Sequence, residues 1–182
     1  MLETQRLIIR TFSPEDCDDL FEYLSDPQVV FYEPYEIYSK EDCKEEALRR
    51  STDSAFFAVC LKENQKLIGN VYFSKQDFDT WELGYVFNSG YQGSGYATES
   101  VIAVIDNAIN KLNARRIVAM CNPQNVRSWK LLERIGLRRE GHLIQNIYFK
   151  TDKDNNPIWL DTYEYGMLAS EWDVSKFAKE DY

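Results

Sequence analysis

An α+β (mixed α/β) fold with a single core is predicted for this chain of 182 residues. Runs rich in β-branched and aromatic residues come in neighbouring pairs, two segments with helix-start signals precede them, and one strongly periodic helix interrupts them. No repeat, linker or low-complexity stretch divides the sequence, so residues 1–182 are expected to form one domain. That length encloses a full core and is short for two.

The elements follow in order. Leu7-Ile8-Ile9-Arg10 reads as a first strand. Ser13-Pro14-Glu15-Asp16 then opens a helix, with a capping serine, a proline at the first helical position and acids in the first turn. Leu20, Phe21 and Leu24 supply its apolar face, and Asp26-Pro27 ends it. An aromatic loop carrying Phe31, Tyr32, Tyr35 and Tyr38 leads to Ser39, whose spacing to Asp42 is an acidic form of the capping box, and a helix to about Arg50 follows. Phe56–Leu61 and Leu67–Phe73 read as a hairpin around a turn from Lys62 to Lys66. Trp81–Phe87 is a further strand. Val101, Val104, Ile105, Ala108 and Leu112 then recur at helical spacing. Arg116–Cys121 is apolar enough to be buried on both faces, and the short helix after Asn122-Pro123 is closed by Gly136. Leu143–Lys150 and Ile158–Leu168 flank a turn at Asp154–Pro157 and make a terminal hairpin, with the tail beyond Trp172 expected to be loosely ordered.

Composition removes several function classes. No run of about 18 apolar residues exists and the amino terminus lacks a basic-then-apolar leader, so a cytoplasmic protein without a membrane partner is expected. Cys17, Cys43, Cys60 and Cys121 are far apart, and a lone histidine, His142, cannot complete a zinc set, so no metal site is expected and the thiols read as structural. A formal net charge of −9 argues against nucleic acid as a partner. Charge is nonetheless unevenly placed: Lys111 to Arg139 holds eight basic residues against Glu133, whereas Thr11 to Ser54 holds thirteen acids against four basic residues. Such a chain suits a polyanion in one place and a cation in another, with solvated helix faces as the alternative.

The chemistry is concentrated in Gln92-Gly93-Ser94-Gly95-Tyr96-Ala97-Thr98-Glu99, between a strand and the periodic helix. Glycines allow a tight turn and close approach, and a helix start presents unpaired amides with partial positive charge, so this loop is a candidate phosphate cradle. It is not a P-loop, because no lysine follows the glycines. Nor is it the dinucleotide fingerprint, whose third glycine is replaced by Thr98.

Gln92 to Ala97 resembles the acetyl-CoA motif Q/R-x-x-G-x-G/A of the GNAT superfamily. The likeness continues through Thr4–Arg10, Tyr23–Pro27, Leu67–Gly69, Glu82–Tyr85, Asn122–Ser128, Leu131–Leu137 and Arg139–Gly141, and is strongest with the branch that acetylates ribosomal-protein N-termini. The resemblance implies a mostly antiparallel sheet, flanked by helices, that splays where Trp81–Phe87 parts from Arg116–Cys121, with acetyl-CoA in the gap. It places the pantetheine against the main chain of Val86 and Phe87 and near Asn125, and the pyrophosphate on the amides from Gly93 to Thr98. Two departures are Leu137, where phenylalanine is usual, and Tyr91, where a tryptophan is often found. The nearby basic stretch adds Lys130 and Arg127 as candidate phosphate partners.

An N-acetyltransferase of this kind requires a neutral amine, an aligned thioester and a proton for the departing thiolate. Glu82 is the candidate base, directly or through water, with Trp81 and Leu83 expected to desolvate it, and a solvated or hydrogen-bonded strand carboxylate is the alternative. The resemblance offers Ser128 as proton donor, against a plain helix-start hydroxyl. No nucleophile elbow is present and His142 reads as packed or exposed. Tyr32, Tyr35 and Tyr38 either line an acceptor pocket or cover the core. The expected acceptor is a primary amine, by resemblance a ribosomal protein or peptide N-terminus. A small amine such as a polyamine or antibiotic, or a CoA-binding module without catalysis, are the rival readings. Exposed strand edges are compatible with a homodimer.

Overall fold

A computed structural model describes residues 1–177. Among them, eight strands form one sheet in the order β1-β2-β3-β4-β5-β6-β8-β7. The strands are β1 (Leu2–Glu3), β2 (Leu7–Thr11), β3 (Phe56–Leu61), β4 (Leu67–Lys75), β5 (Thr80–Phe87), β6 (Arg116–Cys121), β7 (Arg138–Thr151) and β8 (Pro157–Leu168). Every neighbouring pair is antiparallel except β5 with β6. The mixed sheet implied by the resemblance is therefore present, and β1, a two-residue strip, is an addition to the sequence reading.

The local signals act where their chemistry places them. Ser13 and Asp16 form a reciprocal cap, but the first turn is a 3₁₀ turn, Pro14–Asp16, and the α-helix proper, α1, is Cys17–Leu24. The Ser39 and Asp42 box opens α2 (Lys40–Thr52). Helix α3 (Tyr96–Leu112) ends at Asn113 in the left-handed region, and α4 (Val126–Arg134) is followed by Gly136 at φ +96°.

Two apolar layers cover the two faces. Leu83, Phe87, Ile117 and Ala119 pack with Val101, Ile105, Leu131 and Leu132 of α3 and α4, whereas Ala58, Cys60 and Leu67 pack with Leu20, Leu24, Cys43 and Ala47 of α1 and α2. The expectation that β6 is buried on both faces does not hold: Ile117 and Ala119 are buried but Met120 is 57% exposed. The cause is the register. Strands β5 and β6 pair only from Thr80–Arg116 to Leu83–Ala119, so beyond that point the end of β6 borders an opening instead of a neighbouring strand. Past Trp172, Val174–Phe177 form a 3₁₀ turn whose Phe177 ring lies 5.4 Å from that of Trp172, and the rest of the expected loose tail, 178–182, lies outside the described residues.

Candidate active site

The parting of β5 from β6 opens a cavity of about 1390 Å³, larger than a single drug-sized ligand needs. The phosphate-cradle loop forms one end of it. Gly93 and Gly95 take φ values of +81° and +82°, a region in which a side chain is strained. Gly95 is the N-cap of α3 and makes no side-chain cap hydrogen bond, so the amides that open α3 have no side-chain partner from it. Gln92, Gly93, Gly95, Tyr96, Ala97 and Thr98 line the cavity. Ser94 does not; it is exposed, and its carbonyl accepts from Arg6 Nη1 at 3.0 Å.

That contact belongs to a clamp holding the loop on the sheet. Glu99 accepts from the Thr4 hydroxyl at 2.5 Å, the Arg6 amide at 2.9 Å and Arg6 Nε at 2.7 Å, while the Arg6 guanidinium lies 4.5 Å from the Tyr96 ring centre. Glu99 is buried although charged, and the clamp supplies the pairing that such burial requires.

Three basic side chains from α4 line the same end of the cavity: Arg127, Lys130 and Arg134. Arg134 donates to Thr98 Oγ1 at 3.2 Å and Arg127 to Gln92 Oε1 at 2.7 Å. Among the described residues none of the three pairs with a carboxylate, which leaves their charge available to an anion. Gln92 also reaches across to β5, donating to the Phe87 carbonyl at 2.9 Å. The amide of Asn88 donates to the Ile68 carbonyl of β4. Since strand residues alternate, the main chain of Val86 faces β4 like that of Asn88, and the main chains of Tyr85 and Phe87 face the opening.

Asn125, the N-cap of α4, accepts from the Ser128 amide and lines the cavity. The Ser128 hydroxyl lies 3.1 Å from the hydroxyl of Tyr85, which also donates to the Ser128 carbonyl at 3.0 Å. Tyr85 was not singled out from the sequence, although it stands in the Glu82–Tyr85 motif. Burial raises its phenol pKa, so it remains protonated at neutral pH. Cys121 stands beside this pair, and burial pushes its thiol up to about 11.

Glu82 lies on the opposite face. Its side chain is half-buried, accepts from Gln76 Nε2 at 3.3 Å and lines the cavity. The desolvation expected from Trp81 and Leu83 is not supplied by them, because adjacent strand residues point to opposite faces: Trp81 stacks on Phe73 at 5.0 Å and Leu83 is in the α3-side core. Glu82 and Ser128 thus approach the opening from the two sides of the sheet.

The α1–α2 loop and α2 close the cavity on the Glu82 side. Tyr32, Tyr35 and Tyr38 all line it, Tyr35 and Tyr38 also covering the α1–α2 core, and the Tyr32 hydroxyl bridges to the Gln124 carbonyl at 3.2 Å. Arg50, 2% exposed, donates to Glu46 at 2.6 Å and to Asn70 Oδ1 at 3.0 Å, where the Tyr23 hydroxyl also donates. Glu33 keeps some contact with solvent through the cavity, yet desolvation raises its carboxyl to about 7 against a hydrogen bond from Tyr35 and the field of Arg50. Nothing in the spacing of Glu33, Arg50 and Asn70 along the chain signals this cluster. His142 is paired with Asp161 at 2.9 Å and packed edge-on against Tyr163, consistent with the packed or exposed reading. Among the described residues no cluster fit to hold a metal ion occurs, and no helix is long and apolar enough to cross a membrane.

A model of the family described as acetyltransferase (GNAT) domain matches residues 6–138. The chain is 36% identical to the uncharacterized N-acetyltransferase YnaD of Bacillus subtilis (strain 168) over 94% of its own length and 98% of that protein. It is 26% identical to the ribosomal protein uS5-alanine N-acetyltransferase of Escherichia coli (strain K12), covering 78% of this chain and 79% of that one. The crystal structure of an acetyltransferase (GNAT family) from Bacillus anthracis superposes with a TM-score of 0.86 at 32% identity, covering 93% of this chain and 99% of that one.

Proposed function

This chain belongs to the acetyltransferase (GNAT) family, and from that membership we propose that it acetylates the terminal amine of a protein or peptide. It is an N-acetyltransferase, and acetyl-CoA supplies the acetyl group as a thioester. The residues present fit that co-substrate. Two left-handed glycines leave the cradle clear of side chains, the first amides of α3 lack a side-chain cap, and three unneutralised cations stand beside them. In this reading Gln92, Gly93, Ser94, Gly95, Tyr96, Ala97 and Thr98 form the diphosphate cradle, Lys130 with Arg127 adds charge, and Asn125 flanks the pantetheine. The main chain of Phe87 joins it where strand alternation turns outward, with Val86 holding that edge in place on β4.

Glu82 takes the proton released by the amine as the new N–C bond forms and the C–S bond breaks, directly or through water. Ser128, held by Tyr85, gives a proton to the departing sulfur. The observation that carries the proposal is the parting of β5 from β6, with this acid and this hydroxyl brought to one opening from opposite faces. The uS5-directed relative supports a protein N-terminus as acceptor, and the acidic first portion of the chain favours a cationic one. Tyr32 bridged to Gln124 narrows the acceptor side and favours a second reading, a small amine. Thiol release measured with N-terminal peptides against small amines separates the two, and equal release by wild type and a Glu82→Gln/Ser128→Ala double variant defeats the site assignment. Four free cysteines fit the cytoplasm, and the exposed Ile144, Tyr148 and Phe149 on edge strand β7 fit a homodimer, which sedimentation tests.

A further inference from the structure

Positive charge on the acceptor side of the cavity is already matched without Glu33. Arg49 and Arg50 both pair with Glu46, at 2.7 and 2.6 Å, and Arg49 also pairs with Asp53 at 3.1 Å. Two guanidinium groups are therefore balanced by two carboxylates. Glu33 stands beside this group with a hydrogen bond from Tyr35 and in the field of Arg50, whose ion pair among the described residues is with Glu46 and not with Glu33. Glu82 is in the same position, with only the Gln76 amide as partner. Two carboxylates facing one cavity, neither in a direct ion pair among the described residues, leave room there for positive charge on a ligand.

The strand register spaces them. On β5, Glu82, Gly84 and Val86 face the α1–α2 side, and their partners on β4 are Ser74, Tyr72 and Asn70. Asn70 is the residue gripped by Arg50, so the Glu33 cluster lies near the Val86 level, roughly 13 Å along the strand from Glu82. Between the two levels Gly84 has no side chain, and Tyr72 with Phe56, rings 5.1 Å apart and tilted by 58°, gives an aromatic floor. Methylene groups or an extended peptide fit such a floor, which binds no charge by itself beyond a weak attraction for cations.

We propose that Glu33 is a specificity-determining carboxylate that binds a second positive charge on the acceptor at the Val86 level, while the reacting amine is held at Glu82. This rests on the acetyltransferase reading above and narrows its acceptor to amines carrying a remote cation: a diamine, or a peptide with a basic side chain shortly after its N-terminus. Tyr35 from its own loop and Arg50 from α2 act on Glu33, and Tyr38, Glu46 and Glu82 line the same cavity. Desolvation of Glu33 makes its ionisation incomplete near neutrality, so a bound cation draws a proton off it and the preference for such acceptors declines as pH falls below about 7.

The test compares matched probes with the whole protein: 1,8-diaminooctane against octylamine, and Ala-Lys-Ala-Ala against Ala-Nle-Ala-Ala, assayed by thiol release, with acetyl-CoA binding measured by calorimetry. Wild type is expected to favour each dicationic probe by about tenfold in kcat/KM, through KM. Glu33→Gln should reduce that ratio to near one and remove its pH dependence, and Glu33→Asp should restore part of it. A ratio unchanged in Glu33→Gln overturns the role given to Glu33 while leaving the acetyltransferase reading intact, whereas no acetylation of any probe by a protein that binds acetyl-CoA defeats both. Absence of acetyl-CoA binding by folded wild type defeats that reading first, and Glu33 with it.

Discussion

The two ends of the cavity are built from different materials. At the α3 end the cavity is bordered by one continuous segment, Gln92 to Thr98 without Ser94, fixed by two glycine conformations and by the Thr4–Arg6–Glu99 clamp. At the α2 end they are side chains from β5, β4, α2 and the α1–α2 loop, brought together by packing. A backbone cradle tolerates many side-chain changes, and in the proposed function it binds one kind of ligand, a phosphate. A side-chain wall changes its charge and shape with each substitution, so acceptor choice is free to diverge while the fold and the co-substrate stay constant.

Substitutions can break this comparison, beginning with the largest effect. Glu82→Gln should lower kcat about 10²–10³-fold while leaving acetyl-CoA affinity unchanged by calorimetry; undiminished turnover would remove Glu82 from the chemistry. Gly95→Val places a β-branched residue at φ +82° and should weaken acetyl-CoA about 100-fold with little effect on the α2 end, read as intact near-ultraviolet dichroism. Ser128→Ala and Tyr85→Phe should each cost about tenfold in kcat, and their combination no more than Ser128→Ala alone if Tyr85 acts by holding Ser128; additive losses would separate the two residues. Glu99→Ala should loosen the cradle, reducing acetyl-CoA affinity several-fold and global stability by about 3 kcal/mol, because it strands the Arg6 contacts.

The smallest effect is on stability alone. The folded state raises the Glu33 carboxyl from its ordinary 4.5 to about 7, so the fold holds this proton more tightly than the unfolded chain does. The resulting contribution is fully present below about pH 4.5 and is lost as pH rises through about 7. Glu33→Gln should flatten the fall in melting temperature across that window, and an unaltered slope would place the linkage elsewhere.

Legibility follows the same division. The Ser13 and Ser39 caps, the Gly136 terminus, the hairpins and the glycine cradle all depend on residues within a few positions of one another, and each is found where the sequence puts it. The contacts of Tyr85, Arg50 and Asn70 are not legible in the sequence because the partners are distant in the chain: Tyr85 meets Ser128 across 43 positions and Arg50 meets Asn70 across 20. The reading of Glu82 shows the opposite error. Its apolar neighbours in sequence are not its surroundings in space, because strand alternation sends Trp81 and Leu83 to the other face.

By itself the sequence determined most of the elements, their caps and the glycine-containing loop before α3, since these follow from backbone preferences and side chains acting over one or two turns. Tertiary structure alone decided which carboxylates face the opening and which cations are already matched. Burial and long-range pairing set the charge state of a group such as Glu33, and neither exists until β4, β5 and α2 have packed together.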